Sequence, residues 1–130
     1  MDKNYLSKII AKDYAGLQVI SAYCSGSKVD ISNIKYLSKN SIFLISLERP
    51  INEKDKVKKN INSICKFEFV DSVKSKNVNQ GDPNLKLELL AIDFLKNKES
   101  YEINLIFSNN AYIVLSTEVI EVILEDQKIN

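Results

Sequence analysis

The segment "NAYIVLSTEVIEVILED", residues 110–126, decides how the second half of the chain folds. It follows the run 101–108, in which apolar and polar residues alternate, and its own first part, 112–116, is again apolar. Asn109 and Asn110 separate the two runs, and asparagine tolerates the positive φ that a two-residue hairpin turn requires. The sequence therefore predicts a β-hairpin with 112–116 as its second strand.

The end of this segment, residues 117–126, fits two structures. A helix capped by Ser116 or Thr117 would gather its acidic residues on one face and near its positive end. A strand would instead place Ile120, Val122 and Leu124 on one face. We favour the helix, although its β-branched residues argue for the strand.

Composition indicates one soluble domain spanning residues 1–130, with flexible ends at 1–11 and 127–130. The chain has 130 residues, of which 45% are hydrophobic and 27% charged, close to the averages of globular proteins. No apolar run is long enough to cross a membrane, and the start lacks the features of a signal peptide. We therefore expect a cytoplasmic protein in which Cys24 and Cys65 stay reduced and buried rather than forming a disulfide.

Histidine is absent from the sequence. Its absence excludes Ser-His-Asp and Cys-His relays and imidazole metal ligands, and removes the usual side chain that titrates near neutral pH. Carboxylates, lysine or tyrosine could still serve an enzyme, but the common routes to acid–base catalysis are closed.

Charge is distributed unevenly along the chain, although the net charge is only +1. Residues 1–80 carry 14 Lys and Arg against 8 Asp and Glu, whereas residues 81–130 carry 4 against 9. If the two halves interleave in one fold, these charges mix on the surface, which is the interpretation that we favour. The alternative is a bipolar molecule that pairs head to tail.

The apolar pattern predicts an α+β fold. A helix over 12–25 is indicated by Asp13 as its cap, by an apolar stripe at three- and four-residue spacing, and by Gly26 as its stop. About six antiparallel strands in meander order should follow, and a short helix should end the chain. The strands are predicted at 28–37 (with a bulge near Ser32-Asn33), 41–49 (ended by Pro50), 64–76 (with a bulge or bend where Val70 and Val73 break phase), 85–96, 101–108 and 112–116.

The sequence leaves two features of this fold open, namely the structure of residues 51–63 and the way in which the sheet is covered. Residues 51–63 read as a loop or a short solvated helix. The stretches 41–49 and 85–96 are apolar on both faces, so they need two coverings. The helices can cover one face, or they can plug a curved, partly closed barrel of pleckstrin type.

Five blocks of the sequence carry a resemblance to a known family: "DYAGLQVISAY", "NIKYLSKNSIFLISLERP", "FEFVDSVKSK", "LELLAIDF" and "IEVILED". Together they cover about residues 12–127. The chain resembles the domain of unknown function 2948 family, a group of small bacterial proteins. The resemblance implies a shared fold and a cytoplasmic bacterial setting, and it carries over no activity, cofactor or site residue.

Two charged clusters are candidate sites. The acidic row could bind a divalent cation through oxygen ligands, and it consists of Glu118, Glu121, Glu125 and Asp126. The basic run could bind phosphate groups, as in nucleic-acid binding, and it consists of Lys54, Lys56, Lys58 and Lys59. We interpret both as solvated surface, because acids interrupt the basic run, no aromatic residue lies within it, and Arg49 is the only arginine in the chain.

We interpret the remaining candidate residues as structural as well. Glu88 and Asp93 lie five apart on one predicted strand, so they point to opposite faces unless a bulge intervenes, which makes a shared catalytic site poor geometry. Asp93 stands in an apolar context and would need a partner if it were buried. Cys24 lies near a helix C-terminus, where a thiol pKa is not lowered, and the segment 79–84, "NQGDPN", is a plain turn.

The sequence thus predicts no catalytic, cofactor-binding or metal-binding residue. We expect a non-catalytic module that binds a protein partner or a second copy of itself, without nucleic acid, membrane or cofactor. The alternative is a binder of a small or lipid-like ligand within a curved sheet, and an enzyme that uses carboxylates and lysine comes third.

Overall fold

The structure, a computed structural model, describes residues 7–51, 59–79, 81–82 and 84–127. Within these ranges the regular elements are one α-helix, α1 (Tyr14–Cys24), a short 3-10 turn (Ile31–Asn33) and ten strands. The strands are β1 (Lys8–Ala11), β2 (Ser27–Asp30), β3 (Ile34–Leu37), β4 (Ile42–Ile51), β5 (Lys59–Phe67), β6 (Val70–Lys76), β7 (Lys86–Asn97), β8 (Ser100–Phe107), β9 (Tyr112–Thr117) and β10 (Val122–Asp126).

All ten strands form one antiparallel sheet in the order β1-β10-β5-β4-β2-β7-β8-β9-β6, while β3 pairs with β4 beside this path. The predicted antiparallel sheet with an N-terminal helix is confirmed. The predictions of six strands and of meander order are wrong, because two expected strands are each divided in two and β1 and β10 are added. The sheet does not close into a barrel.

The predicted C-terminal helix is wrong. Val122–Asp126 form β10, which lies between β1 and β5, with Leu124 opposite both Ile9 and Cys65. Pairing on both sides satisfies the backbone groups that a helix would have satisfied internally, and the β-branched residues of this segment pack well on a pleated surface. The neighbouring strands therefore override the helical pattern of the acidic residues.

The N-terminal helix was predicted correctly. The Asp13 side chain accepts a hydrogen bond from the Gly16 amide at 2.8 Å, which caps α1, and Gly26 follows the helix with φ of 84°. Leu17, Ile20 and Cys24 are buried. Burial of this stripe against the sheet supplies most of the stability of so short a helix.

Gly16 allows α1 to lie close to β1. A Cβ atom at this position would stand 3.0 Å from both the Cα and the Cβ of Ala11. Real side chains rarely come so close, so a larger residue would force the helix away from the strand. Glycine inside a helix costs about 1 kcal/mol relative to alanine, and the close packing of α1 on β1 offsets that cost.

The sheet turns a corner where β5 continues into β6 and β9 continues into β10. Both pairs stay together across the bend, since Phe67 is opposite Val122 and Val70 is opposite Thr117. The amide of Glu68 donates to the Glu121 carbonyl at 3.0 Å. Phe69 has φ of 60° at this corner, a left-handed conformation that is uncommon for a bulky residue. The bend folds the sheet around one continuous cluster of buried apolar residues.

Other boundaries differ from the prediction in informative ways. Asn109 and Asn110 have φ of 61° and 59°, which confirms the two-residue turn between β8 and β9. Pro50 was expected to end its strand but lies inside β4, beyond the one pairing of β4 with β2, at Glu48. A proline is tolerated at such an edge because its missing N–H is not needed there. The segment 51–63, expected to be a loop or a short solvated helix, is strand at both of its described ends, where Ile51 belongs to β4 and 59–63 belong to β5. Residues 52–58 lie outside the described residues.

The chain ends are held by pairing where the structure describes them. Lys8–Ala11, part of the expected flexible segment 1–11, form β1. The amide of Gln127 donates to the Asn62 carbonyl at 2.7 Å. Of the helices in the described part of the chain, none combines the length and apolar composition that a membrane span requires.

Candidate binding groove

A break in the chain between β2 and β3 creates one side of the candidate site. The sequence predicted a β-bulge near Ser32-Asn33, and the structure has a larger interruption, the 3-10 turn Ile31–Asn33. Before the turn, β2 pairs with β7 and pairs with β4 only at Glu48. After it, β3 pairs with the start of β4, from Ile34 opposite Ile45 to Leu37 opposite Ile42. Within the described residues, β3 thus has a strand on one edge only.

The other side of the site is β6. This strand follows the corner at Phe69 and pairs with β9 alone among the described strands. Its register shifts between Val70 and Ser72, which marks a bulge. The sequence predicted a bulge or bend here from the changed phase of Val70 and Val73, and that prediction is confirmed. Each of β3 and β6 therefore has one edge along which no other described strand pairs.

An apolar groove of about 390 Å³ lies between these two edges, and we call it the β3–β6 groove. Most of its walls are aliphatic or aromatic, and three hydroxyl groups interrupt them. It is lined by Ile31, Ser32, Ile34, Tyr36, Phe43, Val73, Ser75, Val78 and Ile113. Its volume falls in the lower part of the range typical of ligand pockets.

Tyr36 bridges the two edges of the groove. Its hydroxyl donates to the Val70 carbonyl at 2.9 Å, and the Val70 amide donates to the Ser41 carbonyl at 2.8 Å. A whole tyrosine side chain thus spans the gap at this point. Phe43 and Ile113 lie at the base of the groove and belong to the buried core, which gives the floor of the groove a rigid support.

The family model for a protein of unknown function, DUF2948, matches residues 7–130. The chain belongs to the DUF2948 family. This confirms the resemblance carried by the five sequence blocks. Comparison with curated proteins and with solved structures gave no match.

Asp126 of this DUF2948 chain does not lie in a surface acidic row but in a buried ion pair with Arg49. Their side chains are 1% and 8% exposed, and the closest contact, from Nη2 to Oδ2, is 2.7 Å. Arg49 Nε donates to Oδ1 at 3.0 Å, the Ser63 hydroxyl donates to the same oxygen at 2.6 Å, and the Ser7 amide donates to Oδ2 at 2.9 Å. The Arg49 guanidinium also lies 5.3 Å from the centroid of the Tyr23 ring.

This network controls the charge of Asp126. Burial alone would raise the pKa of the carboxyl group, but the hydrogen bonds from Arg49, Ser63 and the Ser7 amide, together with the charge of Arg49, lower it below its ordinary value. The acid therefore stays ionised and paired, and it joins β10 to β4 and β5. Its geometry is that of a structural cluster, with its oxygens occupied by donors.

The four residues of the predicted acidic row do not lie on one face of the structure. Alternation along the strand turns Glu125 outward and Asp126 inward, Glu118 is exposed, and Glu121 is partly buried with Lys12 at 3.9 Å. Within the ranges that the structure covers, no three Asp, Glu, Cys or His side chains are placed to hold a metal ion. The cation site that was considered for these residues thus has no support in their positions.

The other predicted candidates also stay apart. A register shift between Leu89 and Ala91 places both Glu88 and Asp93 on the exposed side of β7, and Asp93 accepts a hydrogen bond from the Phe94 amide at 2.8 Å. Neither is the buried acid that a catalytic pair would need. Lys54, Lys56, Lys58 and the side chain of Lys59 lie outside the described residues. The described part of 79–84 consists of turn and irregular residues, as expected.

The two cysteines are free and buried side by side between α1 and β5. Burial raises the pKa of the Cys65 thiol well above its usual value, and a hydrogen bond with Cys24 raises it further. The predicted packing role for Cys24 agrees with this placement. A thiol with a raised pKa is a poor nucleophile, since the thiolate is the reactive form.

Sequence reasoning missed both the groove and the Arg49–Asp126 pair. A signal for the groove was present, because the slip of the apolar phase near Ser32 marks the point at which β3 leaves the main path. A signal for the pair was weaker: Arg49, the only arginine, ends an apolar strand, and an arginine in such a place usually needs a carboxylate. Nothing in the sequence indicated that this carboxylate would be Asp126.

Proposed function

We propose that the chain is a non-catalytic binding module, and that it holds an apolar segment of a partner protein in the β3–β6 groove. The observation that carries this proposal is the position of an apolar groove of about 390 Å³ between two strand edges. An unpaired strand edge offers a row of backbone donors and acceptors to another chain, and an apolar groove beside it accepts the side chains of that chain.

The alternatives have less support. A lipid-like ligand inside the curved sheet would need an empty interior, whereas the described side chains of the sheet and α1 pack into one cluster. A polar depression lined by residues of β2, β4, β5 and β7 is of similar size, but charges of both signs are mixed in its walls, where Lys86 lies 4.0 Å from Asp30. An enzyme based on carboxylates would need a reactive acid, and Asp126 is already neutralised by Arg49.

We further propose that the protein acts in the bacterial cytoplasm. Support comes from the buried thiols of Cys24 and Cys65, which are in contact and not joined. Such a pair is expected to persist in a reducing compartment and to be at risk of oxidation outside it.

The test is capture of partner chains from the native cell with a tagged protein in three forms. Val78→Trp fills the groove from a half-buried loop position, and Leu95→Trp places the same side chain on β7, where Leu95 is 59% exposed and away from the groove. Partners that bind the wild type and Leu95→Trp, but not Val78→Trp, support the proposal. It is wrong if the wild type captures no chain above background, or if Val78→Trp captures the same chains equally well.

A further inference from the structure

The groove is bordered on its outer side by lysines from both edges. Because side chains alternate along a strand, Ile34 and Tyr36 face the groove while Lys35 faces outward. On β6, Val73 and Ser75 line the groove, so that Lys74 and Lys76 face outward too. We call Lys35, Lys74 and Lys76 the rim lysines. They take part in none of the ion pairs that the described residues form.

The rim is almost free of compensating acid. On the two strands themselves the one acidic residue is Asp71, which lies at the bulge of β6. A second copy of this chain would bring the same lysines against these, and like charges on an edge strand discourage such pairing. Charge complementarity therefore favours a partner with negative charge at the same spacing.

From these two features we infer that the β3–β6 groove binds an extended segment of a partner protein in which acidic and apolar residues alternate. The apolar side chains enter the groove, and the acidic side chains turn outward beside the rim lysines. The backbone of the segment pairs with the edge of β3 that faces away from β4, as in other cases of strand addition. This inference rests on the proposed function, to which it adds the chemistry of the partner.

Two labelled heptapeptides test the inference by fluorescence anisotropy with the full chain. The acidic peptide is acetyl-Thr-Val-Glu-Ile-Glu-Val-Thr-amide, and the basic peptide has lysine in place of both glutamates. We expect the acidic peptide to bind about tenfold more tightly, or more, and to lose several-fold in affinity when salt is raised. Val78→Trp should abolish its binding.

Charge reversal then locates the contact. In Lys74→Glu/Lys76→Glu the preference should pass to the basic peptide, whereas Lys96→Glu/Lys98→Glu, a pair with the same spacing at the β7–β8 turn, should keep the wild-type preference. All four lysines are exposed, so the fold is expected to tolerate both changes, and circular dichroism with urea unfolding verifies it.

Each other outcome overturns the inference in a different way. Equal binding of the two peptides removes the acidic preference and leaves the groove as a binding site. Binding of neither peptide, while Val78→Trp still loses partners captured from cells, refutes the alternating segment and keeps the proposed function. If decanoate binds the groove and neither peptide does, the occupant is a small amphiphile. Self-association of the wild type that Val78→Trp abolishes would make the occupant a second copy.

Discussion

Replacing Asp126 by asparagine should be among the most destabilising conservative changes in this chain. Asparagine keeps the shape of the side chain but removes the charge that balances Arg49, whose own side chain is 8% exposed. Asparagine offers one acceptor oxygen where the carboxylate offers two, so two of the four donors now aimed at the carboxylate would face an NH₂ group. These are either Arg49 Nε and the Ser63 hydroxyl, or Arg49 Nη2 and the Ser7 amide.

The size of the loss follows from the burial of both partners. Removing one partner of a buried ion pair costs roughly 3–5 kcal/mol, because the other charge is left without compensation. We expect about 3 kcal/mol for Asp126→Asn, since part of the hydrogen bonding survives. For a domain of this size that loss corresponds to roughly 10–15 °C in melting temperature, and it is a large share of the 5–15 kcal/mol typical of whole domains.

Urea unfolding at pH 7, followed by circular dichroism, measures this difference, and Glu125→Gln is the matched control. Glu125 is the adjacent carboxylate on the same strand and is exposed, so its neutralisation should change the free energy of unfolding by about 0.5 kcal/mol or less. The double variant Arg49→Met/Asp126→Leu should recover most of the loss, because it removes both charges together. The reasoning is refuted if Asp126→Asn and Glu125→Gln unfold at the same urea concentration.

The same comparison has a pH dependence of known sign. The pKa of Asp126 is lower in the folded chain than in the unfolded chain, so the unfolded state takes up the proton first as pH falls. The stability due to this carboxylate is complete above its unfolded pKa of about 3.9 and is lost as pH falls through the folded pKa. The wild-type and Asp126→Asn curves should therefore converge below about pH 4, and curves that stay parallel would contradict the assignment.

Two further substitutions and one labelling measurement test other parts of the fold. Asn110→Gly should raise the free energy of unfolding by about 0.5 kcal/mol, because glycine suits the second position of this turn; a loss in urea unfolding would mean that the Asn110 side chain is needed. Phe69→Gly should be neutral or stabilising by up to about 1 kcal/mol, because φ of 60° strains the backbone of a residue that is 52% exposed. A clear loss of stability would show that packing of the Phe69 ring stabilises the fold by more than this strain costs. Cys24 and Cys65 should react with a soluble thiol reagent only as fast as the chain opens, which a comparison of native and urea-unfolded rates measures; rapid labelling of the native protein would contradict their burial.

The features that the sequence predicted correctly are those with local causes. The cap of α1 joins Asp13 to Gly16, three residues away, and the β8–β9 turn depends on the φ angles of two adjacent asparagines. Such signals lie within one turn of chain, so they are readable without knowledge of the rest of the fold.

The features that it missed have causes far along the chain. β10 is a strand because β1 and β5 pair with it, and Arg49 and Asp126 are 77 residues apart. The spacing of Glu118, Glu121 and Glu125 matches a helix face as well as it matches two bends and a strand, so the local pattern could not decide. Pairing partners outweigh local propensity when both patterns are available.

The groove depends both on local interruptions of the chain and on the packing of strands that are distant in sequence. A local interruption, the 3-10 turn Ile31–Asn33, moves β3 off the main path of the sheet, and a second, at Phe69, turns β6 around the core. Either one alone would leave an ordinary edge strand, which proteins commonly protect with lysine. Together they bring two edges to opposite sides of one apolar opening, whose floor is the rigid core at Phe43 and Ile113. A gap held open by packed elements needs little reordering when a segment enters it, so more of the contact energy remains for binding.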